Sequence, residues 1–372
     1  MTRSKRALRL ERVIWFLHRL APVYRRAYAL LVGCAVVMGG LAVLTSLVID
    51  RQLADPEGFL GPAAVRLPLL LTGAFLGDLV PRTLWVSRGN PKLWREAAAE
   101  RVRSHWTRQR LTLVVMGIVC FYITYVSYRN LKSFLPFVRE KKYDYELHLV
   151  DIALFFGNEP GVVMHDLLGT GISAHALSYI YLWFLPLVPV AVTAWLVWSR
   201  NISYGYWFVT SQCIAWSLGT LSYYLLPTLG PGFFVPWLYE DVIDAGTPTS
   251  ALMDTLSGAR ERVLWQGVEG AVQSTAGFAS LHVAITLLVA LMVQYTVRSR
   301  IVHWVFWVNF GITVIATIYF GWHYIADDVA GILIALVAFY LGGRASGQVF
   351  ERHGLASHPT TDTSAVPVDV DH

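Results

Sequence analysis

The apolar residues of this chain fall into long runs separated by polar or charged segments. A helix needs roughly 20 apolar residues to cross a bilayer, and the runs are close to that length. They predict eight spans, at about Ala27–Ile49, Pro62–Val86, Leu111–Tyr128, His175–Trp198, Ser203–Leu226, Gly277–Thr296, Ile301–Phe320 and Tyr324–Leu341. The second run is the weakest because Arg66, Asp78 and Pro81 interrupt it. We therefore expect an all-α integral membrane protein.

The composition agrees with that expectation. Of the 372 residues, 55% are hydrophobic and 15% are charged, and the mean hydropathy is +0.49. Soluble domains carry about 25% charged residues, so this balance argues against an ordinary soluble enzyme. The 3 cysteines lie inside apolar runs and predict neither a disulfide framework nor a zinc motif. No segment has the signature of a nucleic-acid-binding protein.

The distribution of Arg and Lys predicts the orientation. These residues are concentrated in residues 1–26 and 82–110, whereas the loop 227–276 is mainly acidic. Because cytoplasmic loops carry the excess of Arg and Lys, both termini are expected in the cytoplasm and the loop 227–276 outside. Arg outnumbers Lys by 25 to 5, which suggests a GC-rich bacterial genome and hence a bacterial plasma membrane.

This topology divides the chain into five parts. They are a basic cytoplasmic N-terminus (1–26), two N-terminal spans (27–86), a basic cytoplasmic linker (87–110), a membrane bundle (111–343) and a cytoplasmic tail expected to be disordered (344–372). The stretch 129–147 is an exception, because it is basic yet falls outside. An interfacial amphipathic helix and an anion-contacting segment both fit it.

Two histidines and an aspartate are candidates for chemistry. His282 lies at the start of one span, and His323 lies where the next span returns to the same outer face. The short loop Val297–Arg300 joins these two spans, so we expect them to be neighbours. Asp327 follows His323 by four residues, which on a helix places both side chains on one face. An aspartate there holds the imidazole in one tautomer and stabilises its protonated form. Ionisable residues at span depth are functional candidates by default.

Other interpretations of these residues stay open. The His–Asp pair also fits a contact that joins two helices. His282, His323 and Asp327 together form a possible zinc site. Asp327 and Asp328 also fit the cation site of a metal-dependent polyprenyl-sugar glycosyltransferase. The histidines and aspartates also fit a non-catalytic carrier that couples its transport to protons through His and Asp.

The same residues carry a resemblance to a known family. Ala279-Ser280-Leu281-His282 is similar, at Ser and His, to a Pro-Ser-Gly-His motif, and the stretch from His323 to Asp327 fits a motif that ends in His, three residues and Asp. On these motifs the chain resembles the type-2 phosphatidic acid phosphatase superfamily over roughly residues 111–341. The His323-Tyr324 pair and the segment 226–232 resemble more closely its branch of inositol phosphorylceramide synthases and their bacterial relatives. A plain helix stop and turn also explains that segment.

The family's phosphate-binding motifs are only partly present. Lys132 and Arg139 have the spacing of the Lys-x6-Arg-Pro motif, although Glu140 replaces the proline. The Ser-Arg pair that precedes the motif histidine is replaced by Ala316 and Thr317. The resemblance therefore implies that phosphate is held by other groups, and the candidates are Arg129, Lys132, Arg139 and Ser280.

The resemblance implies a six-helix catalytic bundle, preceded here by two further spans, and a mechanism without a metal or other cofactor. His323, held by Asp327, is the expected nucleophile on phosphorus, and His282 is the expected general acid. The expected substrate is a phosphorylated membrane lipid at the extracytoplasmic face. The acceptor is water in a phosphatase, or an alcohol such as inositol or a sugar in a phosphotransferase. Oligomeric state is not predicted.

Overall fold

The computed structural model describes residues 22–54, 63–199, 201–256, 277–350 and 360–361. Most of the predicted N-terminus and tail, and residues 257–276 of the predicted outer loop, lie outside the described residues. The helices are α1 Pro22–Val48, α2 Ala63–Val86, α3 Pro91–His105, α4 Arg108–Val138, α5 Asp144–Leu154, α6 Pro160–Leu168, α7 Ile172–Leu182, α8 Phe184–Thr193, α9 Ile202–Leu225, α10 Pro231–Phe234, α11 Glu240–Ile243, α12 Leu281–Thr296, α13 Arg300–Tyr319 and α14 Ile325–Ala345.

Shorter elements complete the described chain. A π-helical turn, Ala194–Trp198, continues α8, and a 3₁₀ turn covers Pro236–Leu238. Residues 248–256 are also helical. The strands β1 Gln348–Val349 and β2 Thr360–Thr361 form one antiparallel pair.

Six segments of the described chain are long and apolar enough to cross a membrane, so the predicted number of eight is not confirmed. They are Tyr28–Val48, Leu67–Val86, Arg108–Val138, Ile172–Trp198, Arg300–Tyr319 and Ile325–Ala345. The other two predicted spans are helices with different properties. α9 is 24 residues long but contains Ser, Thr, Gln and Tyr side chains, and α12 has only 16 residues. α12 is short because residues 277–280 are not helical and Ser280 caps the helix.

α9 is the central helix, and it packs against α1, α4, α12 and α14. Its residues Tyr206, Trp207, Phe208 and Val209 are completely buried. Most of its Ser and Thr side chains and its one Gln side chain are buried in the bundle, which is how membrane bundles accommodate such residues.

The N-terminal spans are part of the same bundle. α1 packs on α4 and α9, and the hydroxyl of Tyr206 donates a hydrogen bond to that of Tyr28. Asn130 exchanges two hydrogen bonds with the backbone of Ala54, at 2.9 and 2.7 Å. α2 contacts α4 and the predicted cytoplasmic linker, which forms α3.

The charge that weakens the second predicted span has partners within the fold. Asp78 accepts hydrogen bonds from Arg101 at 2.8 and 3.1 Å and from the indole of Trp106 at 2.9 Å. A buried charge is tolerated when it is paired and hydrogen-bonded, so α2 remains a regular helix despite Asp78.

The basic stretch 129–147 is not a single interfacial helix. α4 continues through Val138, residues 139–143 are not helical, and α5 begins at Asp144. Arg129 and Lys132 therefore belong to a spanning helix, whereas Arg139 follows its end.

Candidate active site

The two candidate histidines lie close together at one end of the bundle. His282 is in the first turn of α12, and His323 lies in the loop that precedes α14. Their ring centroids are 6.4 Å apart. The starts of the two helices are joined because the Ser280 N–H donates to the Asp327 carbonyl at 3.0 Å. Gly331 permits this approach, since a Cβ there would lie 2.4 Å from the Ser280 carbonyl oxygen.

Asp327 contacts His323, but not through the helix face that the four-residue spacing predicts. His323 precedes the helix, and Asp327 lies in its first turn. The Asp327 Oδ2 lies 3.3 Å from His323 Nδ1 and accepts the Tyr324 backbone N–H at 3.0 Å. A carboxylate that accepts a backbone N–H at a helix start stabilises the helix. The same oxygen therefore orients the imidazole.

The environment of His323 favours a neutral imidazole. Its side chain is buried, and burial lowers the pKa of His323 to about 4, although the nearby Asp328 carboxylate opposes the shift. In the tautomer with its proton on Nδ1, directed at Asp327, the second nitrogen, Nε2, retains its lone pair. A neutral, oriented imidazole is the form required of a nucleophile.

His282 is held by aromatic rings. Its ring stacks on Tyr181 with centroids 4.3 Å apart and an angle of 15° between the planes, and it lies 4.1 Å from the ring of Phe184. The Tyr181 hydroxyl is 3.4 Å from His282 Nδ1. Tyr181 and Phe184 were not singled out from the sequence, because an aromatic residue in an apolar run has no distinguishing mark there.

A cavity of about 100 Å³ opens between the two histidines. The described residues that line it are Tyr128, Lys132, Tyr181, Phe184, Trp216, Tyr223, Leu229, Leu252, Leu256, Leu281, His282, Trp322 and His323. Of these, Lys132 is the residue with a cationic side chain, and its Nζ lies 5.6 Å from the ring centroid of Tyr223. The cavity thus combines two imidazoles, one cationic side chain and a wall made mainly of aromatic and leucine side chains.

The other predicted phosphate-binding residues do not line this cavity. Arg129 is not among the described lining residues, and it donates to the Tyr125 hydroxyl at 3.1 Å. Arg139 is exposed and lies beyond the end of α4. Since seven residues make about two helical turns, it is about 10 Å from Lys132 along the helix axis. Ser280 is completely buried, caps α12 and bonds Asp328.

Thr317 stands where the family that the chain resembles has an arginine. Its hydroxyl donates to Asp328 Oδ2 at 2.8 Å, and its carbonyl accepts the Trp322 N–H at 2.9 Å. A neutral side chain therefore supports the His323 loop from α13, and at this position the helix offers no positive charge.

The loop 226–232, which resembles the synthase branch and also fits a plain helix stop and turn, packs against the His323 loop. The Gly232 N–H donates to the Gly321 carbonyl at 2.8 Å. Gly230 has φ +102°, and a Cβ there would lie 2.4 Å from the Trp322 carbonyl oxygen. Leu229 lines the cavity, so the loop both supports the histidine and contributes to the wall.

Asp144, which the sequence analysis did not identify, links these two loops. Its Oδ1 accepts the N–H groups of Leu229 and Gly230 at 2.8 and 3.1 Å and the Tyr324 hydroxyl at 3.1 Å. Its position in a predominantly basic stretch was the available signal.

A second buried carboxylate, Asp151, contacts the start of α14, and a third, Glu159, lies near Asp151. Asp151 accepts the Ile325 N–H at 3.2 Å, and burial raises the pKa of Asp151 to about 7. Glu159 accepts the Tyr239 hydroxyl at 2.9 Å and lies 3.0 Å from His148 Nδ1, and burial also raises the pKa of Glu159. These groups lie behind the His323 loop rather than in the cavity lining.

Within the described part of the chain, no three His, Cys, Asp or Glu side chains are arranged to hold a metal ion. His282, His323 and Asp327 are all described, so this set does not form the zinc site that their residue types allow.

Similarity to known proteins identifies the family of this chain. No curated protein matches it, and no solved structure matches it. It does match the PAP2 superfamily over residues 145–341, which is more than half of the chain and includes both histidines and Asp327. Members of this superfamily are phosphoester hydrolases and phosphotransferases. A match of this extent, on a helical bundle with several helices long and apolar enough to cross a membrane, shows that the chain belongs to the PAP2 superfamily.

Proposed function

We propose that this protein is a membrane phosphatase or phosphotransferase that acts on a phosphorylated lipid at the extracytoplasmic face of a bacterial plasma membrane. The observation that carries the proposal is the 6.4 Å separation of the His282 and His323 rings across one small cavity. A phosphoryl group between them has a nucleophile on one side and a proton donor on the other.

The first step is attack of His323 Nε2 on phosphorus. The bond from phosphorus to the leaving oxygen breaks as the bond from nitrogen to phosphorus forms, and His282, in its protonated form, gives a proton to that oxygen. The products are a phosphohistidine and an alcohol. Asp327 acts as a positioning residue, because it orients the ring and stabilises its positive charge.

The second step returns the enzyme to its starting state. His282 takes a proton from the acceptor hydroxyl, the acceptor oxygen attacks phosphorus, and the bond to His323 breaks. Lys132 neutralises the phosphoryl oxygens in both steps, which is the contribution expected of a cation placed where charge develops.

Transfer to an alcohol is the second candidate. The aromatic and leucine residues of the described lining disfavour water, and the resemblance of His323-Tyr324 to the synthase branch supports an acceptor such as inositol or a sugar. In that case a phospho-headgroup passes from lipid to alcohol, or from lipid to the hydroxyl of another lipid or a glycan, by the same two steps.

The test is turnover by purified full-length protein in EDTA. Phosphatidic acid and polyprenyl phosphates serve as donors, with and without inositol and sugar acceptors. Wild type should release phosphate or form the transfer product, whereas His323→Ala and His282→Ala should do neither. His175→Ala is the matched control, because His175 is exposed and outside the cavity lining. Equal turnover by His323→Ala and wild type would refute the proposal, as would no turnover of any donor with any acceptor.

A labelled donor distinguishes the covalent mechanism from direct transfer. Rapid quenching of wild type should trap phosphate on the protein in an acid-labile, base-stable bond, at the peptide that contains His323. His282→Ala should accumulate this species if its second step is slower than its first.

A further inference from the structure

A second cavity lies beside the histidine cavity and is larger and more apolar. Its volume is about 330 Å³, and it is bounded by α2, α4, α8 and α9. Phe184 and Trp216 line both cavities, so the two spaces are adjacent and share a wall.

The second cavity extends along α4 away from the reactive end. On this helix the histidine cavity is lined by Lys132 and Tyr128, and the apolar cavity by residues from Val126 to Ile118. At 1.5 Å per residue, Lys132 and Ile118 are about 21 Å apart along the axis. α8 lines the cavity over the same depth, from Phe184 to Thr193. The two cavities together run from a charged end into the hydrocarbon region.

We infer that the apolar cavity binds a hydrocarbon chain of the lipid whose phosphate reacts at His323. This inference rests on the proposed function and adds to it the place and the determinants of chain recognition. A lipid with its phosphate between the histidines has its chain covalently attached at that point. The adjacent space past Phe184 and Trp216 is lined almost entirely by apolar and aromatic side chains, and a hydrocarbon chain is the part of the lipid that such a space accepts.

The N-terminal span α2 supplies one wall of this space. Leu67 and Leu70 line the cavity, and both lie outside the part of the chain that matches the PAP2 superfamily. The additional span therefore selects which chains fit, and Leu67 and Leu70 are specificity-determining residues. This assigns a function to a segment for which the superfamily match offers none.

Photochemical labelling tests the location without requiring turnover. The probe is a phosphatidic acid that carries a diazirine at the end of one long chain, added to the full-length protein in bicelles. Wild type and His323→Ala should both be labelled in peptides that contain residues 118–126 and 185–193. Leu70→Trp should lose most of this labelling, because the indole fills the space. Leu333→Trp is the matched control, since Leu333 lies on α14, is 58% exposed and does not line either cavity.

Turnover with two chain lengths tests the specificity. Leu70→Trp should lower kcat/KM for dipalmitoyl phosphatidic acid by about tenfold relative to dihexanoyl phosphatidic acid, which is the scale of discrimination by a hydrophobic pocket. Leu333→Trp should leave that ratio unchanged. Leu67→Trp serves as a second variant if Leu70→Trp does not fold, as judged by gel filtration.

The outcomes separate this inference from the proposed function. Turnover by wild type with no label in these peptides, or an equal loss on both chain lengths in Leu70→Trp, would overturn the inference alone. Labelling of these peptides with no turnover of any donor would support the chain site and refute the proposed reaction.

Discussion

The hydroxyl of Tyr324 donates a hydrogen bond of 3.1 Å to Asp144, which lies 180 positions earlier in the chain. Tyr324 adjoins His323, and its backbone N–H binds the carboxylate of Asp327. Asp144 also binds the loop that contributes Leu229 to the cavity. One buried carboxylate outside the cavity thus holds together the segments that form the site.

Removing the Tyr324 hydroxyl should affect the site more than the fold. In Tyr324→Phe, Asp144 retains its two backbone N–H bonds, so we expect a loss of about 1 kcal/mol in the free energy of unfolding. We expect kcat to fall severalfold with KM little changed, because His323 is less well placed. Tyr145→Phe, a substitution of a side chain that is 61% exposed, is the control. Unchanged kcat in Tyr324→Phe would show that this bond does not position the histidine.

Asp327→Asn tests the role of the carboxylate charge. The side chain keeps its shape, but it no longer stabilises a charged imidazole or selects its tautomer. In a well-studied triad the corresponding change lowers kcat by about 10⁴, and a loss of that order is expected here. Turnover and gel filtration are measured together, with the exposed Asp166→Asn as control. A loss below tenfold in a folded variant would argue against the positioning role.

Lys132 is expected to be the main cation for the phosphoryl group, because it lines the cavity whereas Arg129 and Arg139 do not. Lys132→Met should lower kcat/KM by about 10²–10³, the loss typical of removing one group that stabilises developing charge. Arg129→Met and Arg139→Met should each stay within about twofold of wild type, well below the loss expected at a group that stabilises charge. Kinetics with one phosphorylated lipid would compare all three, and a larger loss at either arginine would reassign the phosphate contact.

The acidic side of the pH–rate profile should be set by His323. Because burial lowers its pKa to about 4, the imidazole stays neutral and nucleophilic well below pH 6.5, and kcat/KM should fall only as pH approaches 4. Asp328 opposes this shift, so Asp328→Asn should move the limb to still lower pH. An acidic limb of the kcat/KM profile near pH 6.5 in wild type would contradict a buried, neutral His323.

The lowered pKa of His323 also makes the free energy of unfolding depend on pH. In the unfolded chain His323 becomes protonated below about pH 6.5, whereas in the folded protein it becomes protonated only below about pH 4. The contribution of His323 to folding is therefore complete above pH 6.5 and is lost as pH falls from 6.5 to 4. His323→Gln should reduce the pH dependence of the unfolding temperature in that interval.

Gly331→Ala should prevent the close contact of α12 and α14. The added Cβ would lie 2.4 Å from the Ser280 carbonyl oxygen, which is backbone and cannot rotate away. A loss of about 1–3 kcal/mol in the free energy of unfolding is expected from such overpacking, together with lower turnover. Gly311→Ala is the matched control, because nothing lies within 4 Å of a Cβ at that helical position. Equal melting temperatures for the two variants would refute the steric argument.

The sequence alone determined the membrane class, the helical fold and the approach of His282 to His323. These follow from local properties: the length of apolar runs, the positive charge of loops, and two helices joined by a short loop. The spacing from His323 to Asp327 also predicted their contact, although the contact forms at the start of a helix rather than along its face.

The tertiary structure decided which cations and carboxylates reach the site. Lys132 and Arg139 share a spacing that the sequence treats as one motif, yet two turns of α4 separate them and only Lys132 lines the cavity. Asp144 and Tyr181 join the site from distant segments, and Leu67 and Leu70 line the adjacent cavity. A local pattern does not encode such contacts, because they depend on how helices far apart in the chain pack against one another.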